Sequence, residues 1–335
     1  MKMIKPSLVA LKKNLRNLPR AEITVVGDLI LDGYIWGRVS RINPEAPVPL
    51  VAVDHMDFRL GGAANVAANV AALGAKVKLV GVVGDDMHGR ELISLLERRG
   101  ISPEGVVVES GRPTTLKTRV IAHSQQVVRF DREVAHPLSR SIESKLEKVF
   151  MNALSKSSMV ILSDYDKGVF RGSFASKALK SAAAKKIKVA VDPKVPNIKR
   201  FGGAFIITPN HHEAAMVVGF PIDSEKDVER AGKIMSKKLR CPNILITRGK
   251  AGMSLCRDGA SAAHVPTVIR QAFDVTGAGD TVIAVLTTAI ASGAGIEDAM
   301  WLANAAAGVT VSKIGTASVT ADEIEQQLSE EYSLL

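Results

Sequence analysis

The chain is poor in cysteine, in aromatic rings and in long apolar runs, and each scarcity excludes something. Two cysteines, Cys241 and Cys256, in 335 residues build neither a disulfide framework nor a cysteine-rich metal site. Both are expected in strands, as buried free thiols. No apolar run reaches the ~20 residues that span a bilayer, so no membrane partner is expected. Aromatics make up 4% of the chain and the net charge is +10. The basic residues are scattered over helices such as Lys177–Lys188 and not interleaved with stacking rings, so no nucleic acid partner is expected. They read as a solvated surface with a modest pull on polyanionic small substrates. Residues Met1–Leu18 spread Lys2, Lys5, Lys12, Lys13 and Arg16 among apolar residues. That pattern is an amphipathic surface helix without a signal-peptide core, and the cytoplasm is the expected compartment.

What is present has the make-up of an enzyme with a substantial core: 46% hydrophobic and 23% charged residues. Apolar strand-like runs alternate with helical patterns. Strands are expected at Ile23–Gly27, Val77–Val83, Met159–Ser163, Val189–Asp192, Ala204–Thr208 and Ile244–Thr247. Helices are expected at Ala63–Leu73, Gly89–Arg99, Ser139–Ser155, Ser173–Lys185, His211–Val218 and Ser224–Lys238. Near-continuous apolar strands between helices predict an α/β fold, a mostly parallel sheet covered on both faces. No linker interrupts the pattern, so one domain over 1–335 is expected. Ligands then bind at the carboxyl ends of the strands, where Asp28, Asp164, Asp192-Pro193-Lys194, Asn210 and Thr247-Arg248-Gly249 cluster. Tyr34–Val53, with Pro44, Pro47 and Pro49 among β-formers, and Thr114–Asp131, which alternates like a hairpin, break the rhythm.

Asp274-Val275-Thr276-Gly277-Ala278-Gly279-Asp280-Thr281, followed at once by an apolar run, is the most informative stretch. Small residues at a helix start let a phosphate approach unpaired N–H groups and the positive end of the helix dipole. An acid beside such an anion hole repels its ligand unless it has work to do. Asp280 can take a proton from a hydroxyl that attacks the bound phosphoryl group, the layout of a kinase for a small alcohol. A turn with an N-terminal Asp cap would leave the same residues. No Gly-x-x-x-x-Gly-Lys-Ser/Thr occurs, and Val282 weakens a dinucleotide fingerprint.

This stretch resembles the C-terminal signature of the ribokinase/PfkB carbohydrate kinases. Gly61-Gly62-Ala63-Ala64-Asn65-Val66-Ala67, then Gly74 and Gly84, resembles their N-terminal signature, about 200 residues upstream. Val285 stands where the general pattern has Gly or Ala. The stretches Gly27–Asp32, Trp36-Gly37, Ser40–Pro49, Thr118-Arg119-Val120, Gln125-Gln126, Arg129-Phe130-Asp131 and Ser163–Gly168 resemble the heptose-7-phosphate kinase branch, which Val285 also fits. Asn43 and Asp166 depart from it, where Ser and Gly are expected.

The resemblance implies a ribokinase-like fold whose two irregular segments form a small β lid over the sugar. A lid too small to stand alone implies a homodimer. It implies Asp280 as base, with Gly277, Ala278 and Gly279 as anion hole. Asp32, Gly61, Gly62 and Asn65 would hold the sugar, with Gln126 and Asp164 near it. Lys117, Arg119, Arg129 and Lys167 are candidates for a distal phosphate. ATP would meet Lys194, Asn210, Thr247, Gly249, Gly252 and Asn304. Asn210 and Glu213, of an Asn-x-x-Glu motif, would organise Mg²⁺ largely through water, though a helix cap leaves the same pair. Asp274, Thr276 and the loop at Gly315 would hold a monovalent cation, K⁺.

The expected activity is ATP-dependent phosphorylation of the anomeric hydroxyl of D-glycero-D-manno-heptose 7-phosphate. Another sugar kinase of the family, or a non-catalytic sugar-phosphate sensor on the same fold, stays open. No His-x-Gly-His motif occurs and the chain stops at Leu335, so phosphorylation without adenylylation is expected.

Overall fold

The computed structural model describes residues 2–3, 6–123, 125–257, 262–267 and 274–334. The sheet runs from edge to edge as Lys2–Met3, Ala263–Val265, Met253–Arg257, Asn243–Thr247, Ile206–Ile207, Lys188–Asp192, Met159–Ser163, Glu22–Ile42, Lys76–Gly84 and Val106–Glu109. Met253–Arg257 is antiparallel to both its neighbours, and the other pairs on this path are parallel.

Strand periodicity divides the core. Val25, Leu79 and Ile161 face one layer, with the helices Leu8–Asn17, Ala63–Ala72, Ala278–Ala291 and Ile296–Val311. Val26, Val80 and Leu162 face the other, with Arg140–Leu154, Phe174–Ala184 and Glu225–Leu239. A sheet buried on both faces explains why its strands read as unbroken apolar runs.

The strand Glu22–Ile42 is the pivot of the molecule. Its first half lies in the main sheet between Met159–Ser163 and Lys76–Gly84. Its second half leaves that sheet and pairs with Pro49–Gly62 on one side and Thr115–Ala122 on the other. Gln125–Arg132 adds an antiparallel edge. These four segments are the lid.

Register sorts the lid into two faces. One carries the rows Arg59, Asp32, Lys117, Asp131; then Asp57, Tyr34, Arg119, Arg129; then His55, Trp36, Ile121, Gln126. The other is apolar and includes Met56, Val128 and Phe130, each at least half exposed.

Several expectations need correction. The first lid segment extends past Val53 to Gly62, because the returning strand stays paired along its whole length. Cys241 lies in the turn between Glu225–Leu239 and Asn243–Thr247, not in a strand. Both thiols are buried and free, and burial pushes each up to about 12. The N-terminal helix begins only at Leu8, where Ser7 Oγ accepts from Ala10 N–H, and Lys2–Met3 is an edge strand. Met1, Ile4 and Lys5 of that expected helix, and Ser124 of the expected hairpin, lie outside the described residues.

Candidate active site

Gly277 caps the helix Ala278–Ala291 at φ 80°, a left-handed conformation that glycine adopts without strain. A Cβ there would lie 2.9 Å from Asn65 Nδ2, so glycine also makes room for the neighbouring helix. Asp280 sits in the first turn, 2% exposed. Asn65 Nδ2 donates to its Oδ2 at 2.7 Å, and the Tyr165 hydroxyl donates to its Oδ1 at 2.6 Å. Burial pushes the Asp280 carboxyl up to about 6; the bonds from Tyr165 and Asn65 and the charge of Lys194 oppose the rise, and Asp32 adds to it. An acid in that range is ionised at neutral pH yet basic enough to share a proton. Ala278 N–H donates to Val275 O at 3.3 Å, closing the turn ahead of the helix.

Behind the helix start lies a charged group. Lys194 Nζ donates to Glu213 Oε1 at 2.9 Å and stands 5.4 Å from the Tyr165 ring centroid. Burial works against the Lys194 charge, but Asp192 and Glu213 outweigh it and hold its pKa above the usual value. Asp192 is pushed up to about 7 by burial, against Lys194. A Cβ on Gly279 would lie 3.8 Å from Asp192 Oδ2, so this acid borders the anion hole. Asn210 and Glu213 form a capping box: Asn210 Oδ1 accepts from Glu213 N–H, and Glu213 Oε2 accepts from Asn210 N–H. The pair is a helix cap and also part of the charged group.

Four of the residues expected to meet ATP share one cavity. Thr247, Gly249, Gly252 and Asn304 line a space of about 260 Å³ together with Val275, Val282, Ala307 and Val311, and Ala278 and Gly279 line it too. The walls are mostly apolar, which suits a planar base, and the lining includes the first turn of a helix, which suits phosphates. Asn304 Nδ2 donates to Pro266 O, fixing the amide in this wall. Gly252 has φ 76°, and a Cβ there would lie 2.0 Å from Val265 O, so the hairpin turn requires glycine.

On the lid side, Arg119 Nη1 donates to Asp32 Oδ1 at 2.6 Å. Burial raises the Asp32 carboxyl and the Arg119 charge opposes it. A Cβ on Gly61 would lie 2.3 Å from Asp32 Oδ2, so glycine lets this carboxylate pack against the returning strand. Lys117 and Arg129 both approach Asp131, at 3.8 and 3.0 Å, while Lys167 pairs with Glu133 at 2.8 Å. Gln126 is exposed, one row further out. Asp274 Oδ1 accepts from Thr276 N–H and its Oδ2 from Gly315 N–H, tying the two loops together.

Asp164 is brought near but is otherwise committed. Its oxygens accept from the N–H groups of Asp166 and Lys194 and from Asn197 Nδ2. Burial, with Asp28 adding, pushes it up to about 6. Through those bonds it shapes the loop. The added charge of Asp166 is met by a two-point bond from Arg171. The sequence places Asp28 at a strand's carboxyl end, where a ligand contact and a plain strand-end turn are equally open readings. Its carboxylate accepts from the N–H groups of Tyr165, Lys167 and Val169 and so builds the loop that presents Tyr165. Tyr165, which donates to Asp280, was missed. Tyr165 lay inside a stretch quoted for its resemblance, but loops carry no periodicity that would show where a side chain points.

A helix-borne acid set between a nucleotide-shaped cavity and a polar lid, on this sheet, is the arrangement of a small-molecule kinase. The chain belongs to the pfkB family of carbohydrate kinases, whose model matches residues 20–323. It is similar to the bifunctional protein HldE of Trichlorobacter lovleyi, 44% identical over 308 residues, 92% of this chain and 63% of that protein. It is also similar to the bifunctional protein HldE of Paramagnetospirillum magneticum, 40% identical over 97% of this chain and 66% of the relative. The chain thus spans a little under two thirds of the first relative's length. Among solved structures it shares its fold with Escherichia coli phosphofructokinase-2 in complex with potassium, at TM-score 0.78 and 19% identity over 92% of this chain and 99% of that one. It shares the fold also with Arabidopsis thaliana ribokinase complexed with ribose and ATP, at TM-score 0.74 and 20% identity over 92% and 98%. As a member of this family the chain is an ATP-dependent carbohydrate kinase, and the family implies ATP with, as a rule, Mg²⁺.

Proposed function

We propose that this chain, as one kinase unit over residues 1–335, phosphorylates the anomeric hydroxyl of D-glycero-D-manno-heptose 7-phosphate, giving the 1,7-bisphosphate for ADP-heptose synthesis. The observation that carries this reading is the position of Asp280, bordered by the anion hole on one side and by the charge of Asp32 in the lid on the other. The choice of a heptose phosphate rests on the resemblance of the lid and loop stretches, and the cations Lys117, Arg119 and Arg129, in two adjacent rows of one lid face, support a substrate with its own phosphate.

In the step proposed, Asp280 accepts the C1 hydroxyl proton. The sugar oxygen bonds to the γ-phosphorus, and the bond to the β-phosphate oxygen breaks to release ADP. A carboxylate at about 6 is a weak base for an alcohol, so positioning and charge stabilisation supply most of the acceleration. Lys194 and the N-terminus of Ala278–Ala291 meet the charge on the transferred group. Asp32 fixes sugar hydroxyls, with Gly61, Gly62 and Asn65 shaping the wall beside it.

Among the described residues no group of three or more metal-ligating side chains exists, and Glu213 is already bonded to Lys194. That donor set fits a Mg²⁺ carried on nucleotide oxygens and water, with Asn210 and Glu213 orienting its hydration shell. Held there, Mg²⁺ would neutralise phosphate charge. The buried, unpartnered Thr316 Oγ1 beside the Gly315 bond to Asp274 fits K⁺ at the loop that Asp274 and Thr276 form.

The apolar outer face of the lid, with Met56, Val128 and Phe130, supports a homodimer through the lid. Among the described residues no helix is long and apolar enough to cross a membrane, and the cytoplasm is the proposed compartment. The test is ADP release on mixing the chain with ATP, Mg²⁺ and a panel of sugars and sugar phosphates. Release with heptose 7-phosphate far above the rest supports the reading. A flat response to every sugar points to a sensor, and a preference for an unphosphorylated sugar points to another kinase of the family.

A further inference from the structure

The Asp280 carboxylate has two dedicated donors, one from a helix and one from a loop. Asn65 belongs to the helix Ala63–Ala72, locked by the Asn69 amide bond to Asn65 O. Tyr165 belongs to the loop after the strand Met159–Ser163. That loop has little secondary structure of its own, so Asp28 does the work of shaping it, through three backbone N–H bonds of 2.8 to 3.1 Å. Burying a carboxylate to order the five residues Tyr165 to Val169 is costly. What the arrangement delivers is a single side chain, the Tyr165 hydroxyl, 2.6 Å from Asp280 Oδ1.

We infer that Tyr165 is a positioning residue for the phosphoryl transfer, whose donated hydroxyl fixes the rotation of the Asp280 carboxylate and keeps it ionised for the sugar hydroxyl. The inference rests on Asp280 being the base. Each carboxylate oxygen has two acceptor positions. Asn65 takes one on Oδ2 and Tyr165 takes one on Oδ1, which leaves a defined free position for the incoming hydroxyl and removes the rotation that would misplace it. Tyr165 does not itself take the proton. It keeps its own, because burial first, and then the charges of Asp280 and Asp192, hold the phenol well above its ordinary range. The other charged groups around Asp280 pull both ways: Lys194 favours its ionised form, while Asp32 and Asp192 oppose it. A neutral donor at 2.6 Å therefore has a large share in the balance.

The experiment compares Tyr165→Phe, and 3-fluorotyrosine placed at 165, with the unmodified chain across pH 5 to 8.5. Removing the donor should lower kcat about 10-fold or more with the KM values for ATP and sugar phosphate little changed. It should also move the acidic limb of the kcat profile to higher pH by about 1–2 units, the range a hydrogen bond to a charged group supports. The fluorinated ring is a stronger donor and should move the limb to lower pH. If Tyr165 is only a wall of the sugar site, KM rises, the limb stays where it is, and the inference is overturned. If Tyr165→Phe does not fold, the fluorotyrosine arm alone decides: an unmoved limb overturns the inference. Asp280→Asn separates the two readings. Full turnover in that variant removes the base itself, whereas a dead Asp280→Asn beside an unmoved limb in both Tyr165 variants removes only Tyr165.

Discussion

Arg119 and Asp32 form a buried ion pair at 2.6 Å across adjacent strands of the lid. The acid proposed to hold sugar hydroxyls and a cation proposed to read the distal phosphate are thus one unit in the structure. Under the proposed roles, a phosphorylated sugar that drew on Arg119 would loosen its grip on Asp32 and free carboxylate oxygen for the sugar ring. The neighbouring Lys117 stands 3.8 Å from Asp131, and burial lowers its pKa, with Glu133 and Asp131 opposing. It is the cation least committed to a short bond.

Loss of either cation should therefore be read against two substrates. Lys117→Ala should cost roughly 10-fold or more in kcat/KM for the 7-phosphorylated heptose and little for the free sugar, as expected for one charge-assisted bond. Arg119→Ala should harm both, because it also leaves Asp32 buried and unpaired. Steady-state kinetics on the two sugars check this; equal losses in Lys117→Ala would assign Lys117 to lid structure.

Asp280→Asn should retain ATP and sugar-phosphate binding while kcat falls by roughly 10²–10⁴-fold, the usual size of a general-base contribution. Calorimetric titration with both ligands, beside single-turnover rates, measures the two halves. Near-normal turnover would take Asp280 out of the mechanism.

Glu213→Gln should raise the Mg²⁺ concentration needed for half-maximal rate and leave sugar KM alone. Gln still accepts from Asn210 N–H and preserves the cap, so the helix should survive. A Mg²⁺ titration that overlays the unmodified one would reduce Asn210 and Glu213 to a helix start.

Asp192 gives a stability prediction with a defined sign. Burial raises its folded pKa to about 7, above the ~3.9 of an unfolded Asp. The folded chain then holds a proton that the unfolded chain has lost, so the group's contribution to stability declines as pH rises from about 4 to 7. Asp192→Asn removes that decline. Its Tm relative to the unmodified chain should climb between pH 5 and pH 8. A constant difference across that window would mean Asp192 titrates normally.

Phe130→Asp and Met56→Lys, on the apolar lid face, should shift a dimer to monomer in sedimentation velocity at micromolar concentration. An unmodified chain that already sediments as a monomer ends the dimer proposal.

The sequence was most legible where local chemistry and tertiary role coincide. His211–Val218 has its expected bounds because Asn210 and Glu213 cap it reciprocally. Met159–Ser163 does too, because an apolar run between turns has little freedom of length. The lid boundary was less legible. Residues 28–34 continue one strand from sheet to lid with no Pro and a single Gly33, so nothing in the pattern marks the departure. The nucleotide residues Thr247, Gly249, Gly252 and Asn304 were found through family resemblance, and the cavity brings them together. The strand pattern marks Asp28 as a carboxyl-end residue but not its task, and Tyr165 could not be found by pattern. Both roles depend on a loop shaped by buried carboxylates, one of them far away in sequence.

The continuity of Glu22–Ile42 makes the lid something other than a hinged cover. Sheet and lid are built on two ends of one strand. Asp28 stands on it at the loop that carries Tyr165, and Asp32 stands four residues further, under the lid. The residue proposed to meet the sugar and the residue that shapes the Tyr165 loop are therefore neighbours on a single length of backbone, so a change of register in that strand would displace both together.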